Sequence, residues 1–124
     1  MKRTSFGFAG LVVAFFATGV HAQSLPEGVT DAMVQEGQRI YASAGLCAVC
    51  HGPDATGAIG PNLTDTEWLT GNGEYEQIVA QILKGVTAAE ATNPLGTTMP
   101  PKGGAGITEA QVRAVAAYVW TLSH

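Results

Sequence analysis

From residue 30 onward, apolar and small residues return every three to four positions: Met33, Val34, Gly37, Ile40 and Tyr41. A period near 3.6 puts them on one stripe of an α-helix. Thr30 or Asp31 can cap its first free N–H groups, and Gly45 is a stop signal. Gly37 in mid-helix costs about 1 kcal/mol relative to Ala, which leaves two readings: it admits the close approach of another helix, or it is simply tolerated. A second helix is expected over 73–84, with Ile78, Ile82 and Leu83 inward and Gly85 as its stop. The last pattern is the clearest. Thr108-Glu109-Ala110-Gln111 fits a capping box, and Val112, Val115, Val119 and Leu122 then line one face, with Tyr118 and Trp120 nearby. No stretch alternates with period two, so strands are not expected.

The segments between these helices are long and rich in turn formers. Residues 23–29 form a short polar lead-in with Pro26 and Gly28. Gly52, Pro53, Gly57, Gly60 and Pro61 break the chain after the first helix, and Pro94, Gly96, Pro100 and Pro101 break it again before the last. Three or four helices joined this way enclose little core by themselves. Long loops in a small domain point to function or to a component supplied from outside the chain.

The chain has 124 residues, enough for one domain. Its start reads differently from the rest: Lys2 and Arg3, an uncharged apolar run from Phe6 to Val20, then Val20-His21-Ala22 ahead of Gln23. That order is a secretory signal peptide with its cleavage site. The apolar run is short beside the ~20 residues of a membrane span, so residues 1–22 are expected to be removed, leaving a domain over 23–124. Membrane contact follows only if the segment is retained. Losing Lys2 and Arg3 takes the net charge from −4 to −6. Such a chain is unsuited to nucleic acid, where affinity rests on neutralising phosphates. Arg39, Lys84, Lys102 and Arg113 are scattered and build no basic patch for an anionic membrane.

An exported chain with two cysteines ordinarily suggests a disulfide. Cys47 and Cys50 are three positions apart, however, and a loop that small gains little from cross-linking. They belong instead to Cys47-Ala48-Val49-Cys50-His51, the pattern of c-type haem attachment. On one helical turn both sulfurs can reach the two vinyl groups at one edge of a porphyrin, and His51 can place an imidazole nitrogen under the iron. A thioredoxin-like redox pair would need a strand–helix setting that the pattern lacks. A zinc site would have to combine these residues with His124, the last in the chain, at a spacing unlike that of zinc fingers.

Iron held by His51 needs a sixth ligand, and His124, Met33 and Met99 are the candidates. His124 is terminal, and Met33 completes the apolar face of the first helix. Met99 lies in Thr97-Thr98-Met99-Pro100-Pro101, a loop where an ordinary core Met is out of place. A thioether is a soft, neutral ligand that raises the reduction potential, and the prolines stiffen the loop. Met99 is therefore the expected ligand.

These motifs together resemble the class I cytochromes c, and among them the haem c domains of the cbb3-type oxidase subunit. The resemblance runs from about Asp31 to Leu122. It rests on Glu36-Gly37-Gln38-Arg39-Ile40-Tyr41, the haem motif with Gly52, Gly60-Pro61-Asn62-Leu63, Met99-Pro100 and Ala116-Ala117-Tyr118-Val119-Trp120-Thr121-Leu122. It implies an all-α fold whose first and last helices cross around one covalent haem c, Gly37 and Tyr41 meeting the Tyr118 region. It also implies that the Pro61 carbonyl accepts a hydrogen bond from the second nitrogen of His51. For Trp68 it implies either of two roles, hydrogen-bonding a haem propionate or filling the core beside the porphyrin.

With one haem motif and no added membrane spans, a stand-alone carrier is expected in preference to an oxidase subunit. A six-coordinate iron leaves no open position for substrate, so the chain is expected not to be an enzyme. The expected function is a periplasmic one-electron carrier between a dehydrogenase or quinol-oxidising complex and a terminal oxidase or reductase, with transient redox protein partners. The alternatives are a dedicated electron-accepting subunit of a periplasmic dehydrogenase and, from another class, a haem gas sensor or peroxidase-like enzyme.

Overall fold

The computed structural model describes residues 23–124, so the expected export signal over 1–22 lies outside the described residues. Four α-helices follow one another: α1 (Asp31–Tyr41), α2 (Cys47–His51), α3 (Tyr75–Lys84) and α4 (Glu109–Ser123). A tight turn at Pro101–Gly104 precedes α4. The expected all-α class is observed. The extended pairing among the described residues is a single antiparallel bridge between Val86 and Met99. No described helix is long and apolar enough to cross a membrane.

Each helix starts and stops for local reasons. Thr30 caps α1, its hydroxyl accepting from Met33 N at 3.2 Å. The helix ends at Tyr41, and the turn that follows closes through Gly45 N donating to Ile40 O at 2.8 Å. The capping box of α4 is complete: Gln111 N donates to Thr108 Oγ1 at 3.2 Å, and Thr108 N to Gln111 Oε1 at 2.9 Å. α3 begins two residues later than the pattern suggested. Gly73 takes φ +81° and passes under the Trp68 indole, so it cannot belong to the helix. Its buried stripe is Tyr75, Ile78, Val79 and Ile82, while Leu83 is half-buried at the edge.

α1 and α4 cross at Gly37. A Cβ there would lie 2.5 Å from the Ala114 carbonyl carbon and 3.0 Å from Tyr118 Cβ, and nearer still to the Ala114 oxygen. Tyr41 and Tyr118 meet edge to face beside the crossing, with ring centroids 5.4 Å apart, an arrangement that aromatic quadrupoles favour. Because α4 packs on α1 and on α3 as well, Ala114, Ala116 and Ala117 are buried in addition to Val112, Val115 and Val119. The sequence pattern showed one apolar face; small alanines hid the second. The lead-in also contributes, for Val29 is buried and Leu25 packs on the core.

The crossing fixes the sign of one substitution. Helix propensity alone makes Gly37→Ala favourable by about 1 kcal/mol. The contact with backbone should reverse this, giving a net loss of roughly 1–3 kcal/mol from overpacking. Thermal denaturation of the haem-loaded protein measures it, and a variant melting above the wild type would place Gly37 away from the crossing.

Candidate functional site

α2 is one short turn, entered through Leu46 at φ +57° and left through Gly52 at φ +84°. It puts Cys47, Cys50 and His51 on the wall of one cleft. Both cysteines are half-buried free thiols. Burial is the main reason the Cys47 thiol is pushed up to about 11. A redox-active Cys-x-x-Cys pair shows the opposite shift, towards the thiolate.

His51 is buried, and its Nδ1 lies 2.9 Å from Pro61 O. A carbonyl oxygen only accepts, so Nδ1 carries the proton and Nε2 keeps its electron pair. Burial also lowers the imidazole pKa, partly offset by the Pro61 carbonyl, which favours the neutral form a metal requires. The loop after α2 is folded tightly around this ring. Gly57 N donates to His51 O and Gly60 N to Cys50 O, each at 2.8 Å. A Cβ on Gly60 would stand 3.1 Å from the imidazole Nδ1 and Cε1. Tyr41 Oη donates to Gly52 O at 2.8 Å, tying α1 to the same loop, and its phenol pKa is raised, chiefly by burial.

Met99 and Trp68 line the same cleft as Cys47, Cys50, His51 and Pro61. The six residues singled out from the sequence are thus brought together. Met33 packs on the core and His124 stacks on Trp120, with ring centroids 4.4 Å apart. Neither belongs to the cleft. Among the described residues, no three His, Cys, Asp or Glu side chains cluster as a metal site of their own. Ile78, Ile82, Val115 and Val119 form apolar wall, and at the rim Leu46 and Leu69 remain 47% and 52% exposed. Paired sulfurs, an imidazole with a free nitrogen, a thioether and an apolar wall fit a flat, apolar, iron-bearing macrocycle.

Three features of the cleft escaped the sequence reading. Gly73 seats the Trp68 indole, since a Cβ there would come within 2.5 Å of Trp68 Cε2. Val86 pairs with the backbone of Met99. Asn93 braces the intervening loop, its amide donating to Thr97 O at 2.7 Å and accepting from Thr97 N at 3.0 Å. The available signals were a glycine ahead of a helix, and a Gly-Val pair after one that reads only as a stop.

Residues 32–119 match the family described as cytochrome c oxidase, cbb3-type, subunit III. The chain belongs to this family. It is 42% identical over 79 residues to the cbb3-type cytochrome c oxidase subunit FixPc of Rhizobium leguminosarum bv. viciae, a match covering 63% of this chain and 27% of the relative. It is 41% identical over 88 residues to the subunit CcoP of Rubrivivax gelatinosus, covering 70% and 25%. The chain thus spans about a quarter of the length of the curated relatives it matches. Among solved structures, cytochrome cL of Methylophaga aminisulfidivorans MPT superposes with a TM-score of 0.56 at 22% identity, covering 73% of this chain and 53% of that one. The fold is that of a class I cytochrome c, and the cofactor is haem c, attached through Cys47 and Cys50.

Proposed function

We propose that this cbb3-family cytochrome c domain is a periplasmic one-electron carrier whose iron is held between His51 and Met99. The observation that carries the reading is the placement of Met99 in the cleft formed by Cys47, Cys50 and His51. Haem c, when bound, supplies one-electron exchange at its iron. The chain does the rest. His51, oriented by Pro61, would hold the iron through a neutral Nε2, and Met99 would hold it through its thioether sulfur, leaving no site there for substrates or gases. Trp68 and the aliphatic wall would exclude water from the cleft, or the Trp68 indole would hydrogen-bond a haem propionate.

All four cations of residues 23–124 are engaged: Arg39 with Glu36, Lys84 with Glu90, Arg113 with Glu76 and Glu109, and Lys102 with Ile107 O. Lys102 keeps its charge, since a carbonyl is neutral, but ten carboxylates against four cations leave these residues net acidic, which suits brief encounters with basic redox partners, steered by charge. Residues 1–22 direct export in this reading and are removed ahead of Gln23.

The test is a reduced-minus-oxidised spectrum of the purified protein, followed by exposure to carbon monoxide. A c-type difference spectrum, a weak iron–thioether band at the red edge of the oxidised protein and no uptake at neutral pH are expected. Ready carbon monoxide binding would move the protein to the sensor or enzyme class. The relatives' names favour a second reading, a cytochrome subunit held within a larger redox assembly. A stably co-purifying partner would select it, because redox encounters are usually small and transient.

A further inference from the structure

α3 ends where Met99 is held. Gly85 turns the chain out of the helix at φ +76°, and its carbonyl accepts from Gln81 Nε2 at 2.6 Å. Val86, the next residue, exchanges both backbone hydrogen bonds with Met99. Val86 N donates to Met99 O at 2.7 Å, and Met99 N to Val86 O at 3.0 Å. A Cβ at Gly85 would lie 2.7 Å from Pro101 N and 2.8 Å from Pro100 C, and nearer still to the Met99 carbonyl oxygen. All three atoms are backbone. No side-chain rotation relieves such a contact, so the 99–101 segment itself would have to move.

A methionine side chain is unbranched and flexible, and a neutral thioether is a weak ligand for its sulfur to form. Where the sulfur sits is therefore decided by the backbone that carries it. We propose that Gly85 and Gln81 are positioning residues for the Met99 sulfur, pinning the 99–101 backbone to the end of α3. This rests on the reading of Met99 as an iron ligand. The loop from Thr87 to Thr98 is braced internally by Asn93 and closed at its base by the Val86–Met99 pair. Changes within that loop are thus separated from the ligand, whereas changes at the end of α3 are transmitted to it.

Gly96 supplies the control. It lies in the loop at φ +61° with nothing within 4 Å of a Cβ, so Gly96→Ala carries left-handed backbone strain without displacing Met99. Four variants are compared with the wild type as covalently loaded proteins: Gly85→Ala, Gln81→Ala, Gly96→Ala and Met99→Ala. Haem staining and helical signal report maturation, while the red-edge band of the oxidised protein and carbon monoxide uptake report the ligand. Gly85→Ala should lose more than half of the band and admit carbon monoxide, with Gln81→Ala losing a smaller share and Gly96→Ala none. If Met99→Ala abolishes the band while Gly85→Ala and Gln81→Ala both keep it and exclude carbon monoxide, the positioning role is overturned and the ligand stands. A full band in Met99→Ala overturns the ligand and the positioning role together. Equal loss in Gly96→Ala and Gly85→Ala assigns the effect to loop strain and also overturns it. Should Gly85→Ala fail to mature, Gln81→Ala decides: a weakened band supports the role, and a wild-type band with no carbon monoxide uptake overturns it.

Discussion

Met99→Ala should leave covalent haem untouched and change almost everything else about the site. Attachment runs through Cys47 and Cys50 on α2, whereas Met99 arrives from a distant loop tied to α3. Haem-stained gels should therefore match the wild type. The reduction potential should fall by something on the order of 0.1 V, since axial ligands move haem potentials over a span of ~0.8 V and a thioether holds them high. The red-edge band should disappear and carbon monoxide should bind at neutral pH. Met33→Ala is the control. Met33 packs on the core and does not line the cleft, so its loss should cost roughly 1–2 kcal/mol, below the 2–5 of a fully buried Met. Its spectrum should stay unchanged. A Met99→Ala protein with wild-type potential and spectrum would show that another residue ligates the iron.

The sequence was most readable where one local cause acts. Thr108 and Gln111 specify the start of α4 through two reciprocal hydrogen bonds, and the haem motif specifies its chemistry within five residues. From periodicity alone Gly37 left two readings; the family resemblance implied the crossing, and the contacts with Ala114 and Tyr118 show it. Tertiary arrangements were harder. Val86–Met99 pairing joins residues that show no strand period, since one bridge needs only two extended residues. Ala114, Ala116 and Ala117 lie outside the apolar face formed by Val112, Val115, Val119 and Leu122 and are nonetheless buried, their smallness being what lets two helices approach. Trp68 and Gly73 form a contact that neither residue announces alone. The candidate residues Cys47, Cys50, His51 and Met99 came from chemistry, Pro61 and Trp68 from the family resemblance, and the contacts of Gly73, Val86 and Asn93 from geometry alone.

That division bears on the removal of both thiols. Cys47→Ala combined with Cys50→Ala should abolish covalent haem and leave a largely unfolded chain. α1 and α4 do meet directly at Gly37 and Tyr41, so some helical contact survives in principle. α3, however, reaches the rest of the chain chiefly through α4 and the Pro101–Gly104 turn, and four of the apolar residues on α3 and α4, Ile78, Ile82, Val115 and Val119, line the haem cleft. Without haem these walls meet water, together with Leu46 and Leu69 at the rim. Domains near this size bury only ~60–70% of their unfolded surface and retain about 5–15 kcal/mol of net stability. Burying a side chain of the Val or Ile class is worth roughly 1.5–3 kcal/mol, so exposing several removes most or all of that margin. The double variant should give no haem stain on a denaturing gel, less than half of the wild-type helical signal by circular dichroism, and rapid proteolysis. A full helical signal without haem would mean that the α1–α4 crossing sustains the fold alone, and that haem is cargo for this cleft in place of being its core.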